Sequence, residues 1–285
     1  MGPGLSRRRF LEATAAVPAG AANAAVASNA PSAGRLKQSV CRWTLRGELP
    51  DVCTRVKALG FQAIDLLYPE EWDAARVAGL TCSMGYASRR KNFISDGFND
   101  PGLHPMLIEE LNTAIPKAAQ AGVPNLIAMF GNRRGRGDAE GIANCVAGLS
   151  KVAPVAERYG VTVCVELLNS KVDHHDYQGD HTAFGAEVMR GVNSPRVKLL
   201  YDIYHMQIME GDVIRTMREN RQWIGHFHTG GVPGRHEIDE TQELNYRAIS
   251  RAIADLGFPG FVAHEFIATG EPYAALAAAR RTCLV

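Results

Sequence analysis

The chain reads as an α/β protein, a single (β/α)8 barrel, on three observations. Eight short apolar runs alternate with longer helical ones from residue 37 to the end. Several of the helical runs stop at a glycine just before the next apolar run, and no Gly-rich phosphate loop follows an early run. Near-continuous apolar runs are the mark of parallel strands covered by helices. Recurrent strand, helix and glycine-cap units make a parallel sheet, and eight of them close a barrel.

In order, strands are expected over Ser39–Trp43, Ala63–Leu67, Leu80–Tyr86, Asn125–Phe130, Val161–Leu168, Val197–Asp202, Trp223–Thr229 and Gly260–Phe266. Helices are expected between them, among them Leu49–Leu59, His104–Ala121, Ala139–Tyr159 and Tyr246–Leu256. Four junctions repeat one pattern: Leu59-Gly60-Phe61, Ala121-Gly122-Val123, Tyr159-Gly160-Val161 and Leu256-Gly257-Phe258. Glycine past a helix end supplies the left-handed cap, and the apolar residue after it starts the next strand. An open doubly wound sheet is the competing architecture; it calls for a phosphate-binding loop that the sequence lacks.

The first residues differ from the rest. Ser6-Arg7-Arg8-Arg9-Phe10-Leu11-Glu12 matches the twin-arginine export pattern, with Glu12 where Lys is usual. The Ala-rich run Ala13–Ala27 that follows contains Pro18 and Gly20 and is too mild for a membrane span. Residues 1–34 are therefore expected to be an export leader and linker, and residues 35–285 one catalytic barrel working in the periplasm or elsewhere outside the cytoplasm. That route carries folded proteins, so a metal can be loaded before transport.

The chain has 285 residues, 46% hydrophobic and 21% charged, with a formal net charge of +1. That balance offers no field to gather nucleic acid or an anionic membrane, so a small-molecule partner is expected. The local run Arg133-Arg134-Gly135-Arg136 reads as a solvated loop. Cys41, Cys53, Cys82, Cys145, Cys164 and Cys283 lack C-x-x-C spacing, which argues against a thiolate zinc site. Cys41, Cys82 and Cys164 lie in apolar runs, where cysteine acts as a small buried hydrophobe.

Barrel enzymes carry their chemistry at the carboxyl ends of the strands. Strand five ends Val165-Glu166, strand six Tyr201-Asp202, strand seven His226-Phe227-His228 and strand eight His264-Glu265. Residues two apart share a strand face, so His226 and His228 point the same way and His228 is nearer the rim. Three carboxylates left bare beside an imidazole would raise one another's pKa. One divalent cation resolves that conflict, and an O3N donor set suits Mn2+, Mg2+, Co2+ or Zn2+. Glu166, Asp202, His228 and Glu265 are the expected metal ligands. Taken singly, each of them could equally be a helix cap.

At these residues the chain resembles the hydroxypyruvate isomerase family, a branch of the xylose isomerase-like barrels that also holds D-tagatose and D-psicose 3-epimerases and endonuclease IV. The run Tyr201-Asp-Ile-Tyr-His-Met-Gln-Ile-Met-Glu-Gly211 carries most of the likeness. Val165-Glu-Leu-Leu-Asn169, Gly225-His-Phe-His-Thr229 and Gln242-Glu-Leu-Asn-Tyr246 support it. The resemblance implies that Glu166 and Glu265 are the two acid–base groups as well as ligands, and that His205 and Arg235 touch substrate. Some members carry Gln where this chain has His228, as the 3-epimerases do, so the exact substrate stays open.

The implied reaction is metal-dependent isomerisation of a small hydroxy-carbonyl compound through an enediolate, with hydroxypyruvate to tartronate semialdehyde put first. Ketose 3-epimerisation, or a lyase or hydratase acting on 3-keto sugars or glycosides, would use the same machinery; a non-catalytic sugar-binding barrel would not need both glutamates. A repair endonuclease would need further His and Asp ligands, yet the third strand holds no His and Gly234 stands where an Asp would be wanted.

Overall fold

The computed structural model describes residues 34–285; the expected leader and linker, all but Gly34, lie outside the described residues. In chain order they form β1 (Lys37–Val40), α1 (Leu49–Ala58), β2 (Ala63–Leu67), α2 (Trp72–Val77), β3 (Thr81–Gly85), α3 (His104–Ala121), β4 (Asn125–Met129), α4 (Asp138–Tyr159) and β5 (Thr162–Leu167). There follow α5 (Thr182–Val192), β6 (Val197–Asp202), α6 (Ile203–Met209), α7 (Val213–Glu219), β7 (Ile224–Thr229), α8 (Tyr246–Asp255), β8 (Phe261–His264) and α9 (Pro272–Thr282).

The strands make one eight-stranded parallel sheet in the order β1-β8-β7-β6-β5-β4-β3-β2. Its two ends meet at a parallel bridge between Cys41 and Asp65, and Gln62 N–H donates to the Gln38 carbonyl at 3.3 Å. The result is the expected (β/α)8 barrel, nearly closed. Every residue of β2, β4 and β5 is buried, as a sheet enclosed by helices requires.

Helices pack on the outside through one stripe each. On α3 the buried positions include Leu107, Leu111 and Ile115, four residues apart; on α4 they include Cys145, Leu149, Val152 and Ala156. Each large aliphatic side chain buried this way contributes about 1.5–3 kcal/mol. Gly122 and Gly160 end α3 and α4 at φ 73° and 69°, a backbone region that glycine enters without strain.

Two expectations need correction. The first strand stops at Val40, and Arg42–Thr44 turn instead into a short 3-10 helix. Arg42 holds that turn by donating to the carbonyls of Leu45 and Gly47, a local bond that competes with continued strand pairing. The basic loop is ion-paired rather than merely solvated: Arg133 meets Asp138, Arg134 meets Asp96 and Asp100, and Arg136 meets Asp100. All six cysteines are buried and free. Among the described residues no helix is long and apolar enough to cross a membrane.

Candidate active site

The β6–β7 register sets Asp202 directly beside His228. Glu166 stands at the end of β5 and Glu265 one residue past β8. One donor atom from each of Glu166, Asp202, His228 and Glu265 lies within 4.8 Å of the others, and all four residues are buried. The fold thus brings together the four side chains that the strand ends single out.

Each member has a distinct setting. Asp202 does cap α6: its Oδ1 accepts from the N–H groups of Tyr204 at 2.8 Å and His205 at 3.4 Å. Its Oδ2 is left to face the cluster, and burial pushes this carboxyl up to about 7 despite the nearby Arg235. Capping and clustering are therefore two jobs of one side chain.

Glu265 is surrounded by donors. Trp43 Nε1 donates to its Oε1 at 2.6 Å, Arg235 Nη2 to its Oε2 at 2.6 Å, and His228 Nδ1 lies 2.7 Å from Oε2. Burial alone would raise its pKa, but Arg235 and His228 hold it well below the ordinary carboxylate range. Glu166 makes only a 3.4 Å approach to His228 Nδ1. Burial and then the charge of Glu265 raise its pKa. Two carboxyls in one pocket are pushed in opposite directions.

His228 is oriented by a residue that reading the sequence did not single out. Asp65, buried in the middle of β2, places Oδ2 2.9 Å from His228 Nε2 and 3.2 Å from His226 Nε2. Burial would raise the Asp65 carboxyl; His226 and His228 bring it below its usual range. Burial also opposes charging His228, yet Cys41, Glu265 and Asp65 around it raise its pKa well above the ordinary imidazole value. Because Nε2 is engaged by Asp65, Nδ1 faces the carboxylates, 2.7 Å from Glu265 Oε2 and 3.4 Å from Glu166 Oε1. A carboxylate behind the far nitrogen is the usual way to fix a metal-binding imidazole. The sequence signal was a lone Asp within an apolar strand, since a buried charge must be partnered.

That Nδ1 and the three surrounding carboxylates, whose donor atoms lie within 4.8 Å of one another, fit a hard or borderline divalent cation. Like charges so close in a dry site need a counter-ion. Part of that role falls to Arg235, whose Nη2 reaches Asp202 Oδ2 at 3.2 Å as well as Glu265.

His205 is fully buried, and its Nδ1 accepts from the Asn169 backbone N–H at 3.1 Å. That bond places the ring proton on Nε2, which makes no hydrogen bond and lies 3.5 Å from Asp202 Oδ2. Burial, then Arg235, hold its pKa well below the usual value, so the ring is neutral with an N–H to offer. Asn169 in turn is anchored by Asp173, which takes its amide at 2.6 Å. Glu166, Arg235 and Glu265 open onto a cavity of about 300 Å3 whose other walls include Trp43, Leu168 and His174.

Residues 53–283 match the xylose isomerase-like TIM barrel family. The chain belongs to that family. Within it, the chain is 28% identical to the putative hydroxypyruvate isomerase of Homo sapiens, over 79% of this chain and 87% of that protein. It is 28% identical to the 2-oxo-tetronate isomerase of Cupriavidus necator, over 73% and 82%. A further match, 32% identical to the putative hydroxypyruvate isomerase of Danio rerio, covers 46% of this chain and 48% of that protein. Among solved structures, D-psicose 3-epimerase from Clostridium cellulolyticum superposes with a TM-score of 0.69 at 20% identity, over 88% of this chain and 100% of the other. The 3-keto-D-glucoside 4-epimerase of E. coli superposes at 0.72 and 18%, over 86% and 99%; these two likenesses concern the fold. The relatives are named isomerases, and the chain is an enzyme of the isomerase or epimerase type.

Proposed function

We propose that this xylose isomerase-like barrel is a metal-dependent isomerase of a small hydroxy-carbonyl compound, with hydroxypyruvate to tartronate semialdehyde as the reaction put first. The observation that carries this reading is the opposed pair of carboxyls, Glu166 raised and Glu265 lowered, opening on one cavity around a cation-shaped cluster. Environments that push two carboxyls apart mark acid–base roles.

Glu166, Asp202, His228 and Glu265 are the residues that would hold the cation. A divalent ion held there would supply Lewis acidity, making the C–H beside a substrate carbonyl acidic enough to lose its proton. The substrate's hydroxyl-bearing carbon gives that proton to Glu166, the carboxyl with the fewest competing partners. Return of a proton to the former carbonyl carbon, with the hydroxyl proton passing from one oxygen to the other, converts the ketone and alcohol into an alcohol and an aldehyde. Neutral His205 offers Nε2–H to a substrate oxygen, and Asn169 holds its ring in that tautomer. Glu265, kept anionic by Arg235 and Trp43, is the second acid–base group, and Arg235 is placed to contact the substrate as it leaves the carboxylates.

The relatives named hydroxypyruvate and 2-oxo-tetronate isomerases support this reading over epimerisation, which would return the proton to the carbon that lost it. The test is NMR product analysis: manganese-loaded protein given hydroxypyruvate should yield tartronate semialdehyde. Failure with hydroxypyruvate, combined with epimerisation of ketoses, would move the assignment to the second reaction.

We also propose that residues 1–34 are a twin-arginine leader and residues 35–285 the exported catalytic domain. Lysine at both Arg7 and Arg8 should then trap the protein in the cytoplasm, as read by cell fractionation.

A further inference from the structure

Two chambers lie in series over the carboxyl ends of the strands. The inner one, about 300 Å3, reaches Glu166 and Glu265. The outer one, about 490 Å3, is walled by Ser88, Lys91, Asn92, Ser95, Asn132 and Asp173 among others. Both are lined by Tyr86, Phe93, Ile94 and His174, which form the neck between them. A three-carbon acid displaces on the order of three or four waters, about 100 Å3 at about 30 Å3 each. The inner chamber alone exceeds that and suits a ketose; the outer one would then be surplus.

The outer walls are braced rather than loose. Arg90 Nε pairs with Glu110 Oε2 at 3.0 Å, with side-chain exposures of 14% and 10%, and the Ser88 hydroxyl donates to the same Glu110. Arg134 ties the 88–100 segment through Asp96 and Asp100, while its backbone N–H donates to Asp176 Oδ2 at 3.0 Å on the opposite wall. Within this frame the side chains of Lys91, Asn92 and Asn132 make no hydrogen bond or ion pair among the described residues. The rings of Tyr68 and Tyr86 stack at 4.6 Å along one side.

Two of the cations there are answered, Arg90 by Glu110 and Arg89 by Glu70 at 2.7 Å, while Lys91 has no ion-pair partner among the described residues. Asp173 is engaged by Tyr204 Oη–H at 2.8 Å. Free amides beside aromatic faces suit neutral hydroxyl groups, and with both of those arginines paired Lys91 is left as a single charge for a phosphate.

We propose that the cleft takes its substrate in two parts: a hydroxy-carbonyl unit in the inner chamber and a neutral polyhydroxylated unit, one sugar ring in size, in the outer. The inference rests on the inner site being the hydroxy-carbonyl centre argued above, and it extends the substrate class to glycosylated keto sugars. Hydroxypyruvate occupies part of the inner chamber and does not reach the outer one.

Isothermal titration of the full chain, loaded with Mn2+, against fructose and the disaccharide ketoses lactulose and isomaltulose tests this. At least one disaccharide should bind tenfold or more tighter than fructose. Asn132→Ala and Asn92→Trp should each erase that gain while leaving fructose affinity, and deuterium uptake into fructose from D2O, unchanged. Equal or weaker binding of both disaccharides, a gain that survives Asn92→Trp, or tighter binding of fructose 6-phosphate than of either would overturn the two-part cleft. Absence of deuterium uptake with every ketose, the disaccharide gain persisting, would instead overturn the proposed reaction and leave the cleft standing.

Discussion

Asp65 Oδ2 sits 2.9 Å from His228 Nε2, joining β2 to β7 across the barrel with both side chains fully buried. The same oxygen lies 3.2 Å from His226, so one carboxylate fixes two imidazoles and turns His228 Nδ1 toward Glu265 and the rest of the cluster. Replacing such a partner typically costs 10–100-fold in metal affinity. Asp65→Asn should therefore weaken Mn2+ binding by roughly that factor, read by equilibrium dialysis, with the fold retained by circular dichroism.

Glu166 and Glu265 should separate from Asp65 in kind. Glu166→Gln removes the proton carrier, and loss of a positioned acid–base group costs about 10²–10⁴ in rate. The turnover number should fall by at least that much while substrate still binds by titration. Glu265→Gln should also stop turnover, and it should cost metal affinity as well, because it loosens Trp43 and Arg235 together.

Arg235 offers a variant whose two effects have opposite signs. Its guanidinium sits among the carboxylates, 3.2 Å from Asp202 and 2.6 Å from Glu265, where it competes with any cation by charge repulsion. Arg235→Ala should bind Mn2+ at least as tightly as the parent, while KM for substrate rises about tenfold or more, as for loss of a charged hydrogen bond worth about 1.5–3 kcal/mol. Weaker metal binding in this variant would show that Arg235 supports the ion instead.

Asp202 gives the pH dependence. Burial raises its folded-state pKa from 3.8 to about 7, so the metal-free fold binds its proton more tightly than the unfolded chain does. That contribution to stability is full below pH 3.8 and is lost as pH rises through about 7. A cation must displace the proton, so metal binding should tighten as pH rises through the same window. Melting curves with and without Mn2+ at pH 5.5 and 8 test this: the metal-induced rise in Tm should be larger at pH 8. At a hundredfold excess over Kd the stabilisation should be about 2.7 kcal/mol, and a chelator should abolish it.

Most of the barrel was legible because strand periodicity and glycine caps are local signals. The limits of β2 and β6 fall where the apolar runs place them, at Ala63–Leu67 and Val197–Asp202. The four cluster residues were legible because each ends a strand, and strand ends converge in a barrel. Asp65 and Trp43 were not, because their partners lie more than a hundred residues away and only the closed sheet brings them together. The early end of β1 was missed for another reason: Arg42 turns the chain by bonding to carbonyls three and five residues on, a contact that hydrophobic patterning does not register.

Solvent-hydrogen exchange tests the central claim most directly. Manganese-loaded protein in D2O, given hydroxypyruvate and a panel of ketoses, should place deuterium on the carbon next to the carbonyl of at least one of them, as followed by proton NMR. The signal should vanish in Glu166→Gln and after metal removal, and return when Mn2+ is restored. Deuterium uptake that is unchanged by Glu166→Gln or by metal removal, or absent from every compound, would contradict the account.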